Sequence, residues 1–218
     1  MGEGSSVRPA PVKRRLLAVD WNGTVVADAE RACEAVREAL REEGAEAPAD
    51  LASFRRGWRL PLRDYFEGLG VRPARLALVE ERWNHEMRAR TTRLAPGARE
   101  LLDWCQRAGV PVFVLSGADA SVVRRDAEQL DVGPLLSAVV GRAHPKSEHL
   151  SRWRDEGRSV LYVGDTEYDV SQARSAGVAV VAFAGGYRSA EQLGLGDPIP
   201  VVADLRLVIN VLATLGSA

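Results

Sequence analysis

The 218-residue sequence has few cysteines, almost no lysine and no long apolar run. Its two cysteines, Cys33 and Cys105, fall in helix-like stretches without C-x-x-C spacing, which predicts reduced packing residues. A membrane-spanning helix needs about 20 apolar residues, so we expect no membrane segment. The N-terminus also lacks the apolar core of a signal peptide, which predicts a cytoplasmic protein.

The net charge is also close to zero. The 29 basic and 30 acidic residues leave a net charge of −1, so the sequence offers no positive excess for a polyanion. We therefore expect neither nucleic acid nor a membrane as a partner. The length and the hydrophobic content of 46% suit a substantial buried core, in one large domain or in one domain that carries a smaller insert. The chain is expected to be a monomer or a homodimer.

What the sequence does contain is an alternation of short apolar runs with amphipathic stretches. Continuous runs separated by helix-length segments are typical of a parallel sheet buried on both faces. The pattern predicts an α/β fold, a doubly wound parallel sheet. The runs cover 16–20, 110–116, 137–141, 159–165, 178–183 and 199–203.

Two segments depart from this rhythm. Residues 1–13 are rich in Gly, Ser and Pro and are expected to be disordered. Residues 28–93 show only helical patterns, so they are expected to form an α-helical cap inserted after the first strand. The catalytic core would then comprise residues 14–27 and 94–218.

Three polar residues come directly at the ends of predicted strands: Asp20, Ser116 and Asp165. In parallel α/β sheets the carboxyl ends of the strands are where ligands bind, so these side chains should meet in one crevice. Two carboxylates in one cleft repel each other unless a cation lies between them, and oxygen ligands suit Mg²⁺. Asp169, one helical turn after Asp165, would face the same way.

Four segments follow one another along the chain: DWNGTVV (20–26), VFVLSG (112–117), Lys146 and VGDTEYDVSQARSAGV (163–178). In this order they resemble the motifs of the haloacid dehalogenase-like superfamily, in its phosphatase branch. The stretch AFAGGYRSAEQL (182–193) is similar to that of phosphoglycolate-phosphatase-like members. The resemblance implies a Rossmann-like core with a helical cap, and hydrolysis of a small phosphorylated metabolite.

The resemblance also implies roles for the matching residues. Asp20 would attack phosphorus and carry an aspartyl-phosphate. Mg²⁺ would be held by the Asp20 carboxylate, the backbone carbonyl of Asn22 and the Asp165 carboxylate, with Asp169 in support. Ser116, backbone N–H groups at Gly117, and Thr24 would bind the phosphoryl oxygens.

Lysine usage singles out one more position. Only Lys13 and Lys146 are lysines among the 29 basic residues, so Lys146 indicates a need for a compact ammonium. We expect it to bridge Asp20 and the bound phosphate. Substrate choice should lie in the cap, where FRRGWRLP (54–61) is expected to form a loop that presents Arg56 to an anionic or sugar-like leaving group. A solvated arginine cluster is the alternative interpretation.

Asn22 departs from the family pattern, because most of these hydrolases carry a second aspartate two residues after the nucleophile. That aspartate moves the leaving-group proton, and an amide cannot do so. Losing it would slow the reaction by about 10²- to 10⁴-fold. The sequence therefore leaves three options: a phosphatase slow on poor leaving groups, one in which another group moves the proton, or a catalytically weakened phosphate-binding or partner-binding protein.

Overall fold

Six parallel strands form the centre of the molecule. The computed structural model describes residues 14–194 and 198–215. The predicted disordered segment 1–13 lies outside the described residues. The strands are β1 (Arg14–Val19), β2 (Val112–Leu115), β3 (Ala138–Val140), β4 (Arg158–Gly164), β5 (Ala179–Phe183) and β6 (Val201–Val202).

The strand order is β3-β2-β1-β4-β5-β6, and every described pair is parallel. After β1 the chain forms β2 and β3 on one side of β1, and it then forms β4, β5 and β6 on the other side. A doubly wound sheet of this kind has its ligand-binding crevice where the order reverses, at the carboxyl ends of β1 and its neighbours. The predicted fold class is confirmed.

Helices cover both faces of this sheet. From residue 98 onward, the described helices are α5 (Ala98–Arg107), α6 (Ala120–Gln129), α7 (Lys146–Asp155), α8 (Glu167–Ser175), α9 (Ala190–Leu193) and α10 (Val208–Thr214). Alternate residues of β1 point to opposite faces. Leu17 and Val19 join the cluster that includes Leu101 of α5, whereas Leu16 and Ala18 join the cluster that includes Leu150 of α7.

The stretch between β1 and α5 is helical. It contains α1 (Ala29–Leu40), α2 (Leu51–Gly57), α3 (Leu62–Gly68), a 3₁₀ turn (Pro73–Arg75) and α4 (Leu76–Ala89). These helices share a hydrophobic cluster that reaches Ala118, Val122 and Tyr187 of the sheet-containing part. The helices therefore pack over the strand ends. The exact division into core (14–27, 94–218) and cap (28–93) stays a prediction.

One local expectation needs correction. Residues 54–61 were expected to form a loop, but α2 extends to Gly57. Asp50 accepts a hydrogen bond from the backbone N–H of Ser53, and the Ser53 hydroxyl accepts one from the N–H of Asp50. This reciprocal cap stabilises a short helix that has little apolar periodicity to announce it. Across the described parts of the chain, no helix combines the length and apolar character that a bilayer span requires.

Candidate active site

The polar residues at the strand ends come together as the strand order dictates. Asp20 follows β1, Ser116 follows β2 and Asp165 follows β4, and these three strands are neighbours in the sheet. Carboxylate oxygens of Asp20, Asp165 and Asp169 lie within 4.8 Å of one another, and all three residues are buried. We call these three residues the acid cluster.

Lys146 is the cation of the acid cluster. It is the first residue of α7 and is fully buried. Its Nζ lies 2.9 Å from Asp20 Oδ1 and 2.7 Å from Asp169 Oδ1. One ammonium thus faces three carboxylates. The remaining negative charge is more than a buried site can hold without a further cation or bound protons.

The pKa values reflect this imbalance. Burial raises the pKa of Asp20 from 3.8 to about 7, although Lys146 acts in the opposite direction. Burial, with the neighbouring Asp20 and Asp169, also raises the pKa of Asp165 well above its usual range. Burial by itself would raise the pKa of Asp169, yet that pKa is lowered because Lys146 and hydrogen bonds from Lys146, Thr166 and Tyr162 favour the carboxylate.

The donor set fits a divalent cation. Asp169 Oδ1 accepts from Lys146 and Tyr162, and its Oδ2 accepts from the Thr166 hydroxyl at 2.5 Å. Asp20 and Asp165 are therefore the acids with oxygen left for a metal. A doubly charged ion would balance the net charge of the acid cluster and Lys146. Carboxylate oxygens are the ligands that Mg²⁺ prefers.

Asp165 is held by a tight backbone cradle. Its Oδ2 accepts from the backbone N–H of Tyr187 at 2.7 Å, and its Oδ1 accepts from the Thr24 hydroxyl at 3.2 Å. A Cβ on Gly23 would lie 2.3 Å from Asp165 Oδ2, and one on Gly186 would lie 2.2 Å from it. Only glycine permits both loops to approach the carboxylate so closely.

Asn22 is fixed between a hydroxyl and a carboxylate. Its Oδ1 accepts from Ser116 Oγ at 3.2 Å, and its Nδ2 donates to Asp28 Oδ2 at 2.6 Å. Asp28 also accepts from the Gly23 N–H at 2.9 Å and from the Tyr187 hydroxyl at 3.2 Å. An aspartate at position 22 would face a second carboxylate at this distance. The amide and Asp28 are thus complementary in charge.

Asp28 belongs to a buried network that joins α1 to the core. Arg31 Nη2 lies 3.0 Å from Asp28 Oδ2, and Arg31 Nη1 lies 2.6 Å from Asp126 Oδ1 on α6. Trp21, the residue next to Asp20, donates from Nε1 to Asp126 Oδ2 at 3.0 Å. Burial raises the pKa of Asp28, and Arg31 opposes that shift. The network fixes the turn that carries Asn22.

A small chamber lies above the acid cluster. Its volume is about 10 Å³, about the room that one water molecule needs. Its upper side is formed by the helical segment, through four side chains that we call the roof: Trp58, Leu60, Leu62 and Trp83. A wider outer pocket of about 420 Å³ adjoins it and shares Leu60, Leu62 and Gly117. A phosphoryl group can enter the chamber only if the roof moves.

The predicted substrate-binding residues divide into those near the acid cluster and one, Arg56, that is not. Ser116 is fully buried beside Asn22, and Gly117 lines both the chamber and the outer pocket. Thr24 contacts Asp165. Arg56 is exposed on α2 and is not among the described residues that line the chamber. The structure therefore does not bring Arg56 to the acid cluster, and its predicted substrate contact gains no support from the geometry.

Several residues of the site carry little signal in the sequence. Tyr162 lies on β4, where its hydroxyl joins Lys146 to Asp169, but the sequence shows it only as one residue of an apolar run. Tyr187 and the roof tryptophans lie in loops and helices that are distant in sequence from Asp20. Asp28 had a signal, because it is an acid eight positions after Asp20, but it was assigned only to the start of the insert.

This combination of doubly wound sheet, helical insert and strand-end carboxylates defines a class of α/β hydrolases. A sequence model of the haloacid dehalogenase-like hydrolase family matches residues 15–177. The chain belongs to that family, and the predicted resemblance is confirmed.

Sequence relatives and solved structures are similar to this chain over most of its length. A phosphoglycolate phosphatase from Pseudomonas syringae pv. syringae is 28% identical over 218 residues, covering 89% of this chain and 78% of the relative. One from Pseudomonas fluorescens is 26% identical over 220 residues, with the same coverage. The structure of a predicted phosphatase from Clostridium acetobutylicum superimposes with a TM-score of 0.79 at 17% identity, covering 93% of this chain and 100% of the other. That likeness concerns the fold.

Proposed function

We propose that the protein is a Mg²⁺-dependent phosphatase that hydrolyses a small phosphomonoester through a phosphorylated Asp20. The observation that carries the proposal is the acid cluster with Lys146: Asp20 lies beside Asp165, and the ammonium is 2.9 Å from the Asp20 carboxylate. The family membership and the names of the relatives support the same chemistry.

The reaction proceeds in two displacements. An Asp20 carboxylate oxygen forms a bond to phosphorus while the bond from phosphorus to the ester oxygen breaks, so the leaving group departs with that electron pair. Water then attacks the same phosphorus, and the bond to Asp20 breaks, releasing inorganic phosphate. The Gly117 backbone N–H would donate to the phosphoryl oxygens as charge develops on them, and the Ser116 hydroxyl would do so by exchanging its hydrogen bond to Asn22 Oδ1 for one to phosphate. Lys146 holds Asp20 in place and neutralises part of the charge.

Asp20, Asp165 and the backbone carbonyl of Asn22 are the groups that would hold Mg²⁺. When bound, the ion supplies positive charge that offsets the acid cluster and polarises a phosphoryl oxygen. Asp169 contributes through Lys146, because its oxygens already accept from Lys146, Tyr162 and Thr166. Thr24 orients Asp165.

Asn22 limits which leaving groups can depart readily. Its amide cannot give a proton to the ester oxygen, so the enzyme should favour leaving groups that are stable as anions. The names of the relatives make phosphoglycolate the first natural ester to compare. A non-catalytic descendant is the less favoured alternative, because the acid cluster and Lys146 are both complete. We place the enzyme in the cytoplasm, as the sequence predicts.

Hydrolysis of p-nitrophenyl phosphate tests the proposal. We expect turnover in Mg²⁺, none in EDTA, and none for Asp20→Asn. Turnover that survives either the chelator or the substitution would contradict the proposed chemistry. Complete inactivity of the wild type in Mg²⁺ toward both p-nitrophenyl phosphate and acetyl phosphate would instead favour the phosphate-binding alternative.

A further inference from the structure

The walls of the chamber differ sharply in character. The lower side carries Asp20, Asn22 and Asp165, which face the phosphoryl group and the cation. The upper side is the roof, in which Trp58, Leu62 and Trp83 are buried and Leu60 is half-buried. Leu60 lies directly over the β2 loop, since a Cβ on Gly117 would be 3.1 Å from its Cδ2. A leaving group bound above phosphorus must therefore contact the roof.

No described residue that lines the chamber is a lysine, arginine or histidine. The nearest buried cations are already committed. Lys146 is shared by Asp20 and Asp169. Arg188 pairs with both oxygens of Glu167, at 2.7 and 2.8 Å, and also donates to the carbonyls of Arg55 and Trp58. Neither has a hydrogen-bond donor to spare for a substrate carboxylate.

The adjoining outer pocket does contain basic side chains, because its described lining residues include Arg63, Arg142 and His144. Arg142 is engaged by Asp119 and Glu81 at 2.9 and 2.8 Å, and the His144 ring lies 2.6 Å from the Tyr168 hydroxyl. In a short leaving group such as glycolate, the terminal group is only two bonds from the ester oxygen and therefore lies next to the roof. A longer one extends past Leu60 into the outer pocket.

A carboxylate held against the roof would be removed from water without a cationic side chain as partner, and it would add to the negative charge of the acid cluster. Burying a charge without compensation is strongly unfavourable. An uncharged or apolar group at the same place would instead bury carbon against Trp58 and Trp83, which is favourable.

From this we infer the substrate class: a phosphomonoester whose leaving group is uncharged and at least partly apolar next to the ester oxygen, with any negative charge carried further out. The inference rests on the proposed phosphatase function. It separates this chain from the activity that its relatives are named for, because the carboxylate of glycolate is two bonds from the ester oxygen and would lie against the roof. The chemistry at phosphorus is the same as proposed above.

A matched pair of esters tests the inference. Phosphoglycolate and its primary amide are nearly equal in size and differ in the charge of the group beside the ester. For the wild type in Mg²⁺ we expect kcat/KM to be at least about tenfold higher for the amide, because the carboxylate lacks a partner. Equal values, or a preference for phosphoglycolate, would overturn the inference.

Three variants make the test specific. Leu60→Arg places a cation over Gly117 and should raise the ratio of phosphoglycolate to amide at least about tenfold. Leu60→Gln controls for polarity without charge, and Leu78→Arg places the same charge at an exposed position on α4; both should leave the ratio within about twofold of wild type. A ratio unchanged by Leu60→Arg, in a variant that folds, would contradict the assignment.

A binding measurement keeps this result separate from the proposed function. Calorimetric titration of Asp20→Asn with the two esters in Mg²⁺ does not need turnover. Tighter binding of the amide supports the chamber assignment even if no ester is hydrolysed, in which case only the catalytic proposal fails. Tighter binding of phosphoglycolate overturns the assignment whatever the activity.

Discussion

The floor and the roof of the chamber are built from different parts of the chain and by different physics. The floor lies at the ends of β1 and β4, where Asp20 and Asp165 meet Lys146 of α7 and Asp169 of α8, and short charged hydrogen bonds fix these groups. The roof consists of helix and loop residues, and Trp58 lies among rings of Phe54, Tyr65, Trp83 and Tyr187 at centroid distances of 5.0–6.1 Å. Charged hydrogen bonds fix the geometry of the floor, whereas aromatic packing fixes the geometry of the roof.

The floor and the roof are therefore expected to determine different properties of the enzyme. Electrostatic geometry on rigid strand ends suits a reaction whose charge develops at a fixed point. Packed aromatic surfaces can be displaced and closed again, and they distinguish substrates by shape and polarity. We therefore expect substitutions in the floor to affect turnover and charge balance, and substitutions in the roof to affect the choice of leaving group.

The largest expected effect is that of Asp20→Asn in the floor. Turnover of p-nitrophenyl phosphate should fall by at least about 10⁴-fold, because the nucleophile is gone. Without Mg²⁺ the same variant should melt at a higher temperature than the wild type, because a buried carboxylate is removed from a site with excess negative charge. Calorimetry and steady-state kinetics measure both.

The exposed carboxylate of Asp155, at the end of α7, provides the matched control. Asp155→Asn should leave turnover and melting temperature close to those of the wild type. A loss of less than tenfold in Asp20→Asn would place the nucleophile elsewhere.

Lys146→Met should have the next largest effect. It leaves three buried carboxylates without their ammonium, and breaking a buried ion pair typically costs about 3–5 kcal/mol. Urea denaturation measures the loss. In the double variant Lys146→Met/Asp169→Asn we expect partial recovery, since one carboxylate is neutralised. A double variant no more stable than the single one would show that charge balance is not the reason for the loss.

The Asn22–Asp28 pair allows a swap. Asn22→Asp alone places two carboxyl groups at the 2.6 Å contact, whereas Asn22→Asp/Asp28→Asn exchanges acid and amide. On esters with poor leaving groups we expect the swapped variant to exceed the wild type at least about tenfold, because a carboxyl group that can move the proton is present at position 22. The single variant should gain less. Equal rates for all three proteins would indicate that the proton is handled elsewhere.

The smallest effect concerns pH and the metal. The pKa of Asp20 is raised from 3.8 to about 7, and that of Asp165 is also raised. The folded apo-protein therefore keeps protons that the unfolded chain loses, so its stability falls as pH rises from about 4 through about 7. Mg²⁺ needs the deprotonated carboxylates, so its stabilising effect should grow over that range.

Thermal melts with and without Mg²⁺ measure this. The Mg²⁺-induced rise in Tm should be larger at about pH 8 than at about pH 6, by about 2–4 °C for each additional 1 kcal/mol of binding. Asp20→Asn should reduce that dependence on pH. A rise in Tm that is independent of pH in the wild type would argue against Asp20 and Asp165 as the ligands.

The floor could be predicted from the sequence because buried parallel strands are continuous apolar runs, and the residue that ends each run lies at one edge of the sheet. Asp20, Ser116 and Asp165 were found in this way. Lys146 stood out because lysine is so rare in the chain.

The roof and its supports could not be predicted in the same way. Trp83 and Tyr187 reach the chamber through packing between segments far apart in the chain, and Tyr187 donates to Asp28 across 159 positions. No local periodicity encodes such contacts. The short helix α2 was missed because its stability comes from a capping box. Arg56, selected by charge and neighbourhood, lies on the exposed end of that helix.

The central claim is that Asp20 is phosphorylated with the help of a divalent cation. The most direct measurement is mass spectrometry of the rapidly quenched protein after a single turnover with acetyl phosphate. The account predicts one added phosphoryl group on the peptide that contains Asp20, formed in Mg²⁺ and not in EDTA. A phosphoryl group on another residue, or hydrolysis with no phosphorylated peptide at any time, would contradict it.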